Sequence, residues 1–340
     1  MNALRMVIAA ALIVGNAKAA ERYEFEEPHV GTKVRIVLYA ADQVTARTAS
    51  DIAFARIAAL EQVLSDYRET SEIMKLCKAN DAEPGKSFAI SDDLARIMTV
   101  AHEVSKKSEG TFDVTIGPLS QLWRQTRKSK TLPDAKVLDE AKAKVGWQHV
   151  KLDAKAKTLT LAKPGMRLDF GGIGKGFAAD EALAELKKQG ITSALVAMSG
   201  DIAVSDAPPG RDGWTVDIAA LNPGDPSRKL KLVNSAVSTS GDLFQNVEIG
   251  GVRYSHVLDP KTGLGLTGYR SVTVIAKQGV YADCLCKAAS MLPVEKAMKV
   301  IAEYDRAAAF MAIKETSEIK AKTTESELFK TYTVTVKKTS

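Results

Sequence analysis

Leu168-Asp169-Phe170-Gly171-Gly172-Ile173-Gly174-Lys175-Gly176-Phe177-Ala178-Ala179-Asp180 carries the chain from an apolar run, through a cluster of glycines, into a helical pattern. The spacing predicts a strand over Met166–Phe170, a turn, and a helix from Lys175 to Gln189. Glycines let a ligand approach the backbone closely, a helix start offers N–H groups at the positive end of its dipole, and Lys175 adds a mobile charge. That combination fits a diphosphate. The steric needs of a tight strand-to-helix turn account for the same glycines equally well. The order matches neither the G-x-G-x-x-G fingerprint nor the G-x-x-x-x-G-K-[ST] loop.

To the N-terminal side, Thr32–Ala40 alternates like a strand. Val44–Val63 sets Ala49, Ile52, Ala53, Ile57, Leu60 and Val63 on one helical face. A helix capped by Ser91 carries Leu94, Ile97, Met98, Ala101 and Val104 inward and ends near Gly110, where a loop begins. Pro133–Gly146 fits a further amphipathic helix. His149–Leu152 and Thr158–Leu161 read as a hairpin leading into Met166–Phe170, three consecutive strands of one sheet. Beyond the glycine segment, Ser193–Ala197, Trp214–Ile218 and Ser271–Ala276 are strand-like and Asp283–Leu292 is helical. Pro208–Gly213 and Asn222–Ser227 read as surface turns. The order is mixed α/β rather than a strict βαβ alternation.

A chain of 340 residues with 45% apolar content buries a large core in one big domain or two joined ones. The first nineteen residues run from Arg5 through apolar Met6–Val14 to Ala17-Lys18-Ala19, the pattern of a cleavable signal peptide. The apolar run is far too short for a membrane core of roughly 30 Å. Export and a soluble domain over residues 20–340 are the expectation. Losing Arg5 and Lys18 lowers the net charge from +6 to about +4, too mild a surplus to argue for nucleic acid. Cys77, Cys284 and Cys286 form neither a zinc spacing nor an even disulfide framework, leaving one pair plus a thiol, or three buried thiols.

A second polar concentration spans Ser238-Thr239-Ser240-Gly241-Asp242 and Tyr254-Ser255-His256-Val257-Leu258-Asp259-Pro260-Lys261-Thr262-Gly263. Asp259-Pro260 and Thr262-Gly263 make a turn, and His256 reads either as a core hydrogen-bonder or as a site residue. Taken with Leu64-Ser65-Asp66-Tyr67, Ser71-Glu72, Phe112-Asp113-Val114-Thr115-Ile116-Gly117-Pro118-Leu119, Ser199-Gly200-Asp201 and Ala282-Asp283, these segments stand in the order found in the ApbE flavin transferases. The chain resembles that family from roughly Tyr23 to Leu292.

The resemblance implies a two-part α/β fold with FAD in a cleft between the parts. It also implies Mg²⁺-dependent transfer of FMN from FAD to a Thr or Ser hydroxyl of an exported redox protein, including subunits of membrane-associated redox complexes, with AMP released. Tyr67, Phe112, Asp113, Asp169, Lys175 and Leu258 match FAD-contacting positions. The Gly172 carbonyl and Asp283 match metal-binding ones, and His256 matches the catalytic histidine. The pattern breaks at Lys287, where the resemblance expects a Thr metal ligand. Four residues from Asp283 on a helix, Lys287 is placed either to pair with it and displace the metal's charge, or to run out to solvent. Val30 stands where many relatives carry Met. Cys77 stands at an Asn position that biases relatives between transfer and FAD hydrolysis. An FAD pyrophosphatase, or a flavin-binding protein without turnover, is the alternative.

Overall fold

The computed structural model describes residues 19–218, 228–241, 245–316 and 320–334. In chain order its elements are β1 (Glu21–His29), β2 (Thr32–Ala40), α1 (Gln43–Leu64), α2 (Glu72–Ala82), β3 (Ser87–Ala89), α3 (Asp92–Lys107), α4 (Gly117–Ser129), α5 (Ala135–Lys142), β4 (Val150–Asp153), β5 (Thr158–Leu161) and α6 (Gly174–Lys188). There follow β6 (Ala194–Met198), β7 (Asp201–Val204), β8 (Trp214–Ile218), β9 (Arg228–Leu232), β10 (Ser235–Gly241), β11 (Asn246–Ile249), β12 (Val252–Leu258), β13 (Gly265–Thr267), β14 (Tyr269–Ala276), α7 (Gly279–Met291), α8 (Val294–Ala302), β15 (Ala308–Lys314), β16 (Lys322–Glu325), α9 (Glu327–Tyr332) and β17 (Thr333–Val334).

Alternation of side chains decides how the layers stack. In β2, Val34, Ile36 and Leu38 enter one apolar cluster and Val37 enters another, so both faces of the strand are covered. The strand lies in an eight-stranded sheet of order β1-β2-β6-β7-β10-β14-β15-β16. Each neighbouring pair in it is antiparallel. Helices α1, α3, α6, α7 and α8 pack on the first face. On the other, Trp214, Val216, Ile218, Leu230, Leu232 and Phe329 of β8, β9 and α9 close a second core. A third cluster, with Leu119, Trp123, Tyr254 and Leu258, joins α4 and α5 to the small sheet β11-β12-β13. This is the mixed α/β fold expected.

Several local readings change. Met166–Phe170 is not a strand: its backbone runs beside the 112–116 loop, with Asp169 N–H donating to the Val114 carbonyl at 2.8 Å and one parallel bridge between Ile116 and Arg167. The β4-β5 hairpin pairs with β3 in a sheet of its own. The segment after Gly110, read as loop, contains α4, opened by Pro118 in its first turn. Its inward stripe of Leu119, Trp123 and Thr126 includes a polar residue, which weakened the periodic signal. Helix α2 was missed for the same reason, since Asn80 shares its buried stripe with Ile73, Leu76 and Cys77. Helix α7 starts four residues before Asp283, at Gly279. The turn read over Asn222–Ser227 lies outside the described residues. The three cysteines are buried and unpaired.

Helices α6 and α7 touch backbone to backbone. A Cβ placed on Gly279 would lie 2.6 Å from the Gly176 carbonyl oxygen, and one placed on Gly176 would collide with the carbonyl of Gly279. The carboxylate of Asp180 on α6 then accepts the N–H groups of Gly279 (2.7 Å) and Val280 (2.9 Å), capping α7 from the neighbouring helix. Gly176→Ala therefore has no space to relax into. We expect it to lower unfolding stability by about 3 kcal/mol, the upper range for overpacking, measured by urea titration against the unsubstituted protein.

Candidate active site

A cleft of about 1150 Å³ runs between the α6-α7 side of the main sheet and the part built from α4 and β12. Its walls come from the end of α1, the 111–116 loop, α4, the glycine turn, the β6-β7 hairpin and β12. That is above the usual 300–1,000 Å³ of small-molecule pockets and leaves room for a dinucleotide. Tyr67, Phe112, Asp113, Asp169, Gly172, Lys175, His256, Leu258 and Lys287 all line it. Asp283 does not: it is fully buried behind the lysines. Asp242 lies outside the described residues.

The α6-α7 contact organises the floor. Lys175 Nζ sits 2.6 Å from Asp201 Oδ2 and 4.0 Å from Asp283 Oδ2, and Lys287 Nζ sits 3.4 Å from Asp283 Oδ1. Asp201, at the start of β7, also accepts the Ser238 hydroxyl at 2.6 Å. Lys287 does not run out to solvent; its stem packs on Gly172, whose Cβ, if present, would lie 3.1 Å from Lys287 Cγ. Burial alone would push both lysines down, but the charges of Asp283 and Asp201 more than offset it, so each ammonium is held above its ordinary pKa. Asp201 is buried too, yet Lys175 and Lys287 hold it below the usual carboxylate range. Asp283 is driven up, by burial first and then by the Asp201 charge.

The helix start contributes less than the sequence promised. The Gly174 N–H donates to the Phe170 carbonyl at 2.7 Å and the Gly176 N–H to Asp283 Oδ2 at 3.2 Å. Two groups expected to face an anion are thus spent inside the fold, and positive charge comes mainly from the side chains.

At the mouth, Tyr67 is 75% exposed, with the Arg124 guanidinium 4.2 Å from its ring centroid. Arg124 bridges Asp66 and Asp169, the latter at 3.2 Å, while Asp169 Oδ1 accepts the Gly171 N–H at 2.8 Å. Asp169 therefore positions the glycine turn as well as facing the cleft. Asp113 is almost wholly occupied within the protein, accepting from Thr115 N (2.8 Å), Thr115 Oγ1 (2.7 Å) and Trp147 N (2.7 Å). Its carboxylate shapes the loop that presents Phe112, and burial raises its pKa despite those bonds. Cys77 is buried and does not line the cleft.

His256 Nδ1 lies 3.2 Å from the Gln245 carbonyl oxygen. A carbonyl only accepts, so Nδ1 carries the proton and Nε2 keeps its lone pair. Burial, then the charges of Lys287, Arg127 and Lys175, lower its pKa to about 4. At neutral pH the ring is uncharged.

Arg124 and Asp201 were not assigned roles from the sequence. Arg124 lies in the unread helix α4; Asp201 stood in the quoted Ser199-Gly200-Asp201 motif, where the tight β6-β7 hairpin, with Ser199 at φ 60°, was the available signal.

The donor set does not suit Mg²⁺. That ion wants an octahedron of oxygens at about 2.0–2.1 Å, whereas Asp283 Oδ2 accepts the Gly176 N–H and Oδ1, though without a hydrogen-bond partner, lies 3.4 Å from the Lys287 ammonium. A divalent ion 4 Å from Lys287 would meet repulsion on the order of 8 kcal/mol at an effective dielectric of 20. Among the described residues no group of three or more acidic, His or Cys side chains gathers around a common point.

Fold and site thus define an α/β protein with a dinucleotide-sized cleft that joins an exposed tyrosine ring, a half-buried ammonium pair and a neutral histidine. The profile of the ApbE family matches residues 30–311, and the chain belongs to that family. It is 31% identical over 295 residues to the FAD:protein FMN transferase of Klebsiella pneumoniae, covering 84% of this chain and 83% of that protein. It is 30% identical over 286 residues to the Escherichia coli K12 FAD:protein FMN transferase, covering 82% and 79%. The apo crystal structure of Pseudomonas stutzeri flavinyl transferase ApbE superposes with a TM-score of 0.80 at 29% identity, over 92% of this chain and 97% of that one. Vibrio cholerae flavin transferase ApbE gives 0.80 at 26% identity, over 92% and 99%.

Removing one member of a buried ion pair strands the other. Asp201→Ala should cost roughly 3–5 kcal/mol of stability, whereas Lys175→Met combined with Asp201→Ala should cost distinctly less than the sum of the single changes, read from urea unfolding in a double-mutant cycle.

Proposed function

We propose that this protein transfers the FMN half of FAD to a Thr or Ser hydroxyl of an exported redox protein, releasing AMP, and that it works outside the cytoplasm after loss of its signal peptide. The observation that carries the reading is the gathering in one cleft of Tyr67, Phe112, Asp169, Lys175, His256 and Leu258, contributed by segments far apart in the chain. The curated relatives that bear the transferase name support the same chemistry. Arg5, the apolar run and Ala17-Lys18-Ala19 support export.

The acceptor hydroxyl oxygen attacks the FMN-side phosphorus of the diphosphate. A new P–O bond forms, the bridging P–O bond breaks, and the bridging oxygen leaves with AMP. The hydroxyl proton passes to His256 Nε2 and from there to solvent. The work of the site is to hold the diphosphate in line and to neutralise the leaving phosphate, a task for charges fixed before the ligand arrives. Lys175 and Lys287 provide that charge from inside the protein. Exposed Tyr67 offers its ring to the planar rings of FAD, with buried Phe112 lining the same cleft. Hydrolysis to FMN and AMP differs only in water replacing the acceptor hydroxyl.

Mass spectrometry of an acceptor domain incubated with FAD tests the reading: a gain equal to one FMN, matched by AMP, is expected, and AMP without acceptor modification would mark a pyrophosphatase. His256→Ala should lower kcat by about 10²–10⁴-fold while leaving FAD affinity within about threefold. Because His256 must be unprotonated to act, activity falls where the ring gains a proton. With its pKa lowered to about 4, the acidic limb of kcat/KM should lie near pH 4 rather than near the ordinary imidazole value of about 6.5.

A further inference from the structure

The floor of the cleft holds two buried carboxylates and two ammonium groups in alternating contact. Lys175 stands between Asp201 (2.6 Å) and Asp283 (4.0 Å), and Lys287 faces the remaining oxygen of Asp283 at 3.4 Å. Asp283 itself is fully buried and does not line the cleft, whereas Lys175, Lys287 and Asp201 do. The Lys287 stem lies over Gly172, which leaves its head between the glycine turn and α7. Resting on the transferase reading above, we propose that Lys287 takes the place of a divalent cation in this chain, so that FAD is bound through its diphosphate by the Lys175–Lys287 pair and binding needs no divalent metal.

The chemistry of the groups supports the exchange. An ammonium is a compact charge with three N–H donors; Lys287 Nζ lies 3.4 Å from Asp283 Oδ1 as an ion pair without a hydrogen bond, so its donors remain for phosphate oxygens. Fixed lysines bind phosphates as point charges in many nucleotide sites. The carboxylates keep both heads charged and oriented before any ligand arrives. Lys287 carries half the charge of a divalent ion. Arg127, on the α4 wall of the same cleft, adds a second source of positive charge, one strong enough to depress His256. Charge-charge binding of this kind weakens with added salt.

The test is a titration of the full chain with FAD, followed by flavin fluorescence, in excess EDTA and again in millimolar Mg²⁺. The proposal expects the two Kd values to agree within about threefold. Tightening by Mg²⁺ beyond that overturns it. K287T, which restores an oxygen donor, should bind FAD at least about tenfold more weakly in EDTA and regain affinity with Mg²⁺; affinity equal to the unsubstituted protein in EDTA would overturn the assignment. K287R keeps the charge and should retain metal-independent binding, so it serves, with the unsubstituted protein, if K287T fails to fold. Acceptor mass and AMP, followed in the same two buffers, separate this inference from the transferase reading. FAD bound equally in both buffers with no AMP in either sinks the transferase and leaves Lys287 supported. Flavinylation and FAD binding that both require Mg²⁺ do the reverse.

Discussion

The contact between Gly176 and Gly279 is the constraint on which the site depends. Two helices whose backbones meet can carry side chains toward one point from adjacent turns, and only residues without a Cβ allow that approach. Lys175 precedes one glycine by a single residue; Asp283 and Lys287 follow the other by one and two helical turns. Asp180 fixes the relative position of the helices by capping α7 from α6, and burial raises its pKa to about 7. Sheet, crossing and charged floor are one piece of construction.

A buried set of two carboxylates and two lysines is poor value as a stabilising device. Desolvating four charges costs several kcal/mol each, and their attraction recovers that only with good geometry. Apolar residues of similar volume would hold α6, α7 and β7 together at least as well. The arrangement makes sense as a site: charges held rigidly by one another need no reorganisation when an anionic ligand arrives. The outer cluster of Arg124 with Asp66, Asp169 and Tyr67 applies the same principle at the mouth, where partial exposure makes it cheaper.

Much of this was legible in the residues. Strong periodicity gave Thr32–Ala40, the helix after Ser91 and Trp214–Ile218 nearly to the residue, because apolar patterning and side-chain caps are local. Polar residues within buried stripes hid α2 and α4: Asn80 donates to the Lys163 carbonyl at 2.8 Å, a partner that only the folded chain supplies, whereas the Thr126 hydroxyl is satisfied inside its own helix by the Leu122 carbonyl at 3.0 Å. Met166–Phe170 looked like a strand because its apolar residues are buried, yet its backbone pairs with a loop. The residue types of the site were readable from ordered motifs; their mutual contacts were not. An i to i+4 spacing allowed Lys287 to meet Asp283, but its burial follows from the packing of its stem on Gly172, and the role of Asp201 follows from a hairpin pairing.

The charge that prepares the cleft for a diphosphate also acts on the base. Burial lowers the pKa of His256 first, and Lys287, Arg127 and Lys175 lower it further, leaving a ring that is uncharged yet weakly basic in the empty cleft. A weak base does little for a hydroxyl whose own proton is held tightly. Under the proposed binding mode, an FAD diphosphate seated on the lysines would bring negative charge to the very groups that depress the imidazole, and by the same electrostatics would raise its affinity for a proton. Burial remains, so the ring does not reach its value in water, but the part of the shift owed to the cations is offset. In the proposed transfer, the ligand that brings the phosphorus into reach would therefore also strengthen His256 as a base, tying proton acceptance to occupancy of the cleft.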